Sequence, residues 1–331
     1  MADVVVESGR LSYTGTGERA RALRSLRLRD VVFHGLTLSA AVGVLILLGG
    51  VILALILGSI PSIKAFGFGF ITSQTWNPVT DQYGALPSIY GTLVTSAIAM
   101  IFAVPVGLGI AIFLTELSPP KLKRPIGIAV ELLAGIPSII YGIWGLFIFA
   151  PFLQDHVEPA LINVFGPIPG LSTLFAGPPY GIGVLTSGIV LAIMVLPYIS
   201  SISRDVFETV PPVLKEAAYG VGCTTSEVVT KVVIPYSRAG VIGGAMLALG
   251  RALGETMAVT FVIGNADRIS GSLLAPGTTI SAKIANEFTE AVGDLYTSSL
   301  IELGLILFVI TFIVLAIARY MLMRIERKGR V

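Results

Sequence analysis

The chain has 331 residues; 54% are apolar, 13% are charged, and the formal net charge is +2. Soluble domains carry about a quarter charged residues, so this composition excludes an ordinary soluble fold and places the chain among polytopic membrane proteins. One cysteine, Cys223, excludes an intrachain disulfide, the absence of HExxH or CxxC spacing predicts no metal site, and the absence of a GK[ST] sequence predicts no P-loop.

In chain order, residues 1–30 form a basic N-terminal segment with six arginines. Its run GERARALRSLRLRD predicts a short amphipathic helix resting on anionic headgroups. A spanning helix needs about 20 apolar residues, and six stretches qualify: 31–60, 86–115, 126–150, 181–203, 238–264 and 298–323. The first is too long for a signal-peptide core and reads as an uncleaved anchor. The domain plan is therefore the 1–30 segment, a six-span transmembrane domain over 31–323, and a tail over 324–331. Residues 61–85 and 151–180 are rich in Pro, Gly and aromatics, which suits surface turns or shallow re-entrant pieces. Pro137, inside the third stretch, predicts a kink or break; Ser138 and Tyr141 then face either a pathway or a packing kink. Glu131 lies early in the same stretch, within reach of a basic neighbour, a helix terminus or the interface.

Eighteen of the 22 lysines and arginines fall in 1–30, 116–125, 201–238 or the C-terminal end. That bias orients both termini and these loops to the cytoplasm. On the opposite side, 265–297 carries Asp267, Glu287, Glu290 and Asp294 and reads as solvated surface charge or as a face that receives substrate from a docked carrier.

The long cytoplasmic loop reads SRDVFETVPPVLKEAAYGVGCTTSEVVTKVVIPYSR. Pro211 and Pro212 start a helix, Gly220 and Gly222 let the chain turn, Thr224 or Thr225 caps a second helix, and Pro235 ends it. The segment resembles the EAA loop of ABC-importer permeases, with Glu216, Ala217, Ala218, Gly222 and Pro235 at the family spacing over about 204–237. The resemblance implies that this helix docks on a cytoplasmic ATPase carried by another chain.

Arg251 lies near the middle of the fifth stretch, where an arginine costs about 2.5–3.5 kcal/mol on insertion scales. Glu255, four residues on, shares its helix face if the helix is continuous. The pair is either a structural staple or part of an anion pathway in which Glu255 holds the Arg251 guanidinium, a planar fork matched to oxyanions. Two small-residue series, Gly240/Gly244/Ala248/Ala252 and Gly250/Gly254/Ala258, predict close helix approach, by a second subunit or within the chain.

IGGAMLALGRALGETMAVTFVIGN resembles the fifth span of phosphate-specific ABC-importer permeases. WNPVTDQYGALPSIYGTLVTS, ELLAGIPSIIYGIWGLFIFAP and LPYISSISRDVFETVPP are similar to the PstC-type subunit. This resemblance implies an all-α, type I (MetI-like) permease fold in a bacterial or archaeal inner membrane. It implies a substrate pathway with Arg251 and Glu255, to which Thr256 and Ser138 are added as neighbours. The expected partners are a PstA-like permease, two PstB-like ATPases and a PstS-like phosphate-binding protein, with no nucleic acid. No cofactor is expected in the chain itself, ATP being bound by the partner, and no catalysis. An ABC permease for sulfate or molybdate, and a secondary anion transporter, are the alternatives; the first should lack the GRALGET block and the second would show inverted repeats.

Overall fold

The computed structural model describes residues 16–328. Among them the regular structure is helical, with one isolated bridge between Asn77 and Gln82. The outermost parts of the expected N-terminal segment and tail, 1–15 and 329–331, lie outside the described residues. Ten helices carry the architecture: α1 Thr16–Phe66, α2 Leu86–Ile112, α3 Pro120–Ala134, α4 Ser138–Trp144, α5 Val184–Glu208, α6 Pro212–Gly220, α7 Ile234–Leu253, α8 Met257–Val262, α9 Ile280–Glu287 and α10 Asp294–Lys328. Short and π-helical turns extend several of them.

Among the described residues, six helical stretches are long and apolar enough to cross a membrane: Arg29–Phe66, Leu86–Leu117, Ser138–Phe165, Val184–Glu208, Thr225–Leu253 and Asp294–Arg324. The chain divides into two units, one reaching Ala54 and one from Leu55 onward. In the first, α1 presents almost uniformly exposed apolar side chains from Val31 to Leu53, as a lone apolar helix must. The basic run expected to form a separate short helix is, from Thr16 on, the start of this same helix.

In the second unit α5 is the axis. Val190, Leu191, Val195 and Ile199 are fully buried, and the core around them takes in Ala99, Ala103, Ala248, Ala252, Val259 and Val262. Glycine lets α2 approach α5: a Cβ on Gly188 would stand 2.5 Å from Ile98, and one on Gly107 would stand 2.8 Å from Ile199. With no hydrophobic drive between helices in lipid, such contact is where packing energy is gained. The first small-residue series serves the same purpose within the chain. Gly240 abuts Val206, Gly244 abuts Ile202, and Ala248 and Ala252 are buried in the α5 core. In the second series Gly250 meets Leu315 of α10.

Two expected spans are corrected. The third does not run over 126–150. Pro137 has an extended backbone (φ −56°, ψ 137°) and no N–H to donate, so the helix stops at Ala134 and restarts at Ser138. α3 is a separate amphipathic helix carrying Lys121, Lys123, Arg124 and Glu131, and the span proper reaches Phe165. Glu131 pairs with Arg204 of α5 at 2.6 Å, and Lys123 pairs with Glu208 at 2.9 Å. The fifth does not run unbroken over 238–264. It starts earlier, at Thr225, and ends at Leu253.

Pro235 does not end the helix that precedes it. A π-helical turn, Val229–Val233, widens the backbone so that the missing proline N–H falls at a junction, and the helix continues into α7. The Ser237 hydroxyl donates to the Val233 carbonyl there. Because α5 runs on to Glu208, the non-helical part of the loop that follows it is shorter than its sequence suggested.

On the opposite side the loops are not simply solvated. Lys283, 4% exposed, lies 2.5 Å from Asp267 and 2.6 Å from Glu287. The other Glu287 oxygen accepts from Trp76 Nε1 (2.6 Å) and the Tyr296 hydroxyl (2.8 Å). Burial pushes the Asp267 carboxyl up, and Lys283 pulls it part of the way back. Tyr83, stacked on Tyr296 and bonded to Asp81, is pushed up to about 12, chiefly by burial. Asp267 and Glu287 are thus members of a satisfied charge knot joining two loops to α9 and α10, whereas Glu290 and Asp294 are exposed.

Candidate functional site

α7 ends because Gly254 follows Leu253 without a side chain to sustain the turn, and the Gly254 and Glu255 amides both close onto the Ala252 carbonyl. Three residues, Gly254–Thr256, separate α7 from α8. Thr256 donates to the Gly254 carbonyl at 3.4 Å and its own carbonyl accepts from Thr260 at 2.8 Å. A helix ending inside an apolar layer must have its last carbonyls satisfied. At the end of α8, Val262 accepts from Gly183 N (2.9 Å) and Thr260 from Asn265 Nδ2 (3.1 Å), and Ile263, which caps the helix, accepts from Gly277 N (3.0 Å).

This break changes the relation of the two intramembrane charges. Arg251 sits in the last turn of α7, and Glu255 lies beyond its end, so they do not share a helix face. They form no ion pair. The Glu255 carboxylate turns to the start of α8 and accepts from Ala258 N at 3.5 Å. Arg251 instead lies over the ring of Tyr198 in α5, its guanidinium carbon 4.7 Å from the ring centre. Its side chain is exposed on the surface of this chain, with no carboxylate partner among the described residues. Sequence reasoning missed Tyr198: an aromatic residue after Pro197 in an apolar run carries no sign of a partner 53 positions away.

The third-span break meets the fifth-span break. A Cβ on Gly142 of α4 would stand 3.1 Å from the Met257 carbonyl and 3.2 Å from Ala258 Cα, so α4 and α8 touch backbone to backbone just after their respective breaks. Ser138, half-exposed, opens α4. Tyr141 is buried and its hydroxyl donates to the Leu133 carbonyl at 2.8 Å. Tyr141 therefore stitches α3 to α4.

At the other end of α7 lies the loop. Pro211 and Pro212 start α6, and Gly222 turns the chain at φ +89°, where a side chain would be strained. Thr224 and Glu227 form a reciprocal capping box: the Thr224 amide donates to Glu227 at 3.0 Å and the Glu227 amide to Thr224 at 3.4 Å. Lys215 pairs at 2.5 Å with Glu116 at the end of the second span, fixing one side of α6 to the body. Ala218 joins a small core with Ala111, Phe207, Val228 and Val233. The opposite side of α6 is open: Glu216 and Ala217 are exposed, as are Val213 (70%) and Val221 (82%). Pro235 is exposed on the adjoining helix.

The profile of the binding-protein-dependent transport system inner membrane component family matches residues 103–327. A phosphate transport system permease protein PstC from Mesorhizobium japonicum is 69% identical over 310 residues, covering 94% of this chain and 95% of its own. The PstC protein of Pasteurella multocida is 57% identical over 299 residues, with 90% and 93% covered. The chain belongs to the PstC-type branch of this permease family. The permease also superposes on a chain of a bacterial alginate ABC transporter at a TM-score of 0.61 and 17% identity, covering 90% of this chain and 96% of that one. That likeness establishes the shared ABC-permease fold.

Proposed function

We propose that this permease forms half of the membrane path of an ATP-driven importer that carries inorganic phosphate into the cytoplasm. The observation that carries the reading is Arg251: an exposed guanidinium at the break of a membrane span, backed by a ring and unpaired by any carboxylate among the described residues. A permanent charge in the last turn of a membrane span is tolerated where it faces protein or water, and its planar N–H edge matches a phosphate oxyanion. The names of the relatives supply the same substrate independently.

The open face of α6 suits a groove on an ATPase, two PstB-like copies of which would bind the ATP. A PstA-like permease would complete the path, and a PstS-like carrier would deliver phosphate from outside. The distribution of lysine and arginine favours both termini in the cytoplasm of a cell bounded by this inner membrane. No covalent step falls to this chain; its task is alternating access. α7 joins the two working parts. Its 20 residues rise about 30 Å, so a displacement at α6 is carried by a packed helix to the Arg251 break.

The test is phosphate uptake by the reconstituted complex with Arg251→Gln. Uptake is expected to fall to background with the complex assembled. Normal uptake by that variant would remove Arg251 from the path.

A further inference from the structure

We infer that Tyr198 is the positioning residue for Arg251, holding the guanidinium by its face so that its N–H edge stays free for a passing oxyanion. The inference rests on the transport reading of Arg251 and deepens it. Two devices can hold an arginine in place. A carboxylate grips the in-plane N–H groups, which are the ones an oxyanion needs, and cancels the charge that attracts it. An aromatic ring grips the perpendicular face through its quadrupole and leaves all five N–H donors available. A residue that must accept and then release an anion on every cycle is better served by the second.

The structure shows the second arrangement. The guanidinium carbon stands 4.7 Å above the Tyr198 ring centre, within the range of a cation–π contact. The carboxylate best placed in sequence to compete, Glu255, is drawn away beyond the end of α7 to the Ala258 amide. The ring is mounted on a firm base: Pro197 is buried and Ile199 is fully buried, both in the most buried of the six spans. The Tyr198 hydroxyl makes no hydrogen bond among the described residues, so the ring face is the part that acts.

The experiment compares Tyr198→Phe, Tyr198→Leu and Arg251→Gln in the purified, reconstituted complex, reading radiolabelled phosphate taken up per ATP hydrolysed, ATP turnover and complex yield. Tyr198→Phe keeps the face and is expected to stay within about twofold of the parent. Tyr198→Leu fills similar space without a quadrupole and is expected to lower uptake per ATP about tenfold while turnover and yield hold. A merely structural role would move yield and turnover instead. The inference is overturned if Tyr198→Leu transports like the parent, if Phe fails as badly as Leu, or if the loss in Leu follows yield. Should Arg251→Gln be inactive while Tyr198→Leu is normal, only the positioning role fails. Should Arg251→Gln itself transport normally, the pathway reading fails with it.

Discussion

The loop carrying α6 and the broken fifth span lie at the two ends of α7, and they are held in shape by different forces. The loop is built from neighbours in sequence. Prolines start α6, Gly222 turns the chain, and the Thr224–Glu227 box starts the next helix, each satisfying groups a few residues away. The break at Gly254–Thr256 is built from strangers in sequence: α8 is seated on Gly142, its last carbonyls are bonded by Gly183 and Gly277, and Arg251 rests on Tyr198. The loop thereby leaves an outer face free for another protein, while the break depends on the surrounding helices for its own integrity. A loop with an exposed face can be locally defined; a part that interrupts a helix in an apolar layer cannot.

The sharpest way to break this contrast is Gly142→Leu. It drives a side chain into the Met257 carbonyl and the Phe261 ring, and overpacking of this kind costs about 1–3 kcal/mol or more. Uptake is expected to be lost together with part of the complex yield, measured by transport and by detergent-stable assembly; a fully active variant would show that the break does not need α4. Next in size is Glu216→Lys on the open face of α6. It should lower uptake at least about tenfold, equivalent to about 1.4 kcal/mol at the joint, with ATPase co-purification and stimulated turnover both falling and the permease still folded. Retained coupling would move the joint elsewhere on the loop. The smallest effect is expected from Thr224→Ala, which removes one N-cap worth about 1 kcal/mol. Exchange of the amides from 225 to 228 should quicken several-fold and uptake should drop modestly. If that substitution instead disabled Arg251-dependent transport outright, the loop would not be the locally defined part described above.

Much of this was legible from sequence for the same reason. Hydropathy found six spans, and four of them lie within several residues of their structural ends. The EAA spacing located the loop, and Thr224 was among its expected caps. The errors share a cause. Pro137 predicts a kink or a break, and a break is what the structure shows; the error lies in the span's extent, because the apolar run continues past 150 and α3 falls outside the span. Pro235 was read as a stop, yet a π turn carries the helix across it. Arg251 and Glu255 were paired on the assumption of unbroken helix, and Gly254 removed the assumption. Asp267 and Glu287 looked solvated because Lys283, Trp76 and Tyr296, which engage them, do not announce a contact in the linear order.

By itself the sequence determined that the chain is a multi-pass membrane protein, how many times it can cross, which loops carry the excess of positive charge, and where the helices of the long loop begin and turn, because apolar length, charge bias and capping are local properties. Only the tertiary structure decided where two spans break and what each intramembrane charge touches. Those outcomes depend on which backbone groups and rings distant residues bring within reach, and that follows from how α4, α5, α7 and α8 pack, not from the order of residues along any one of them.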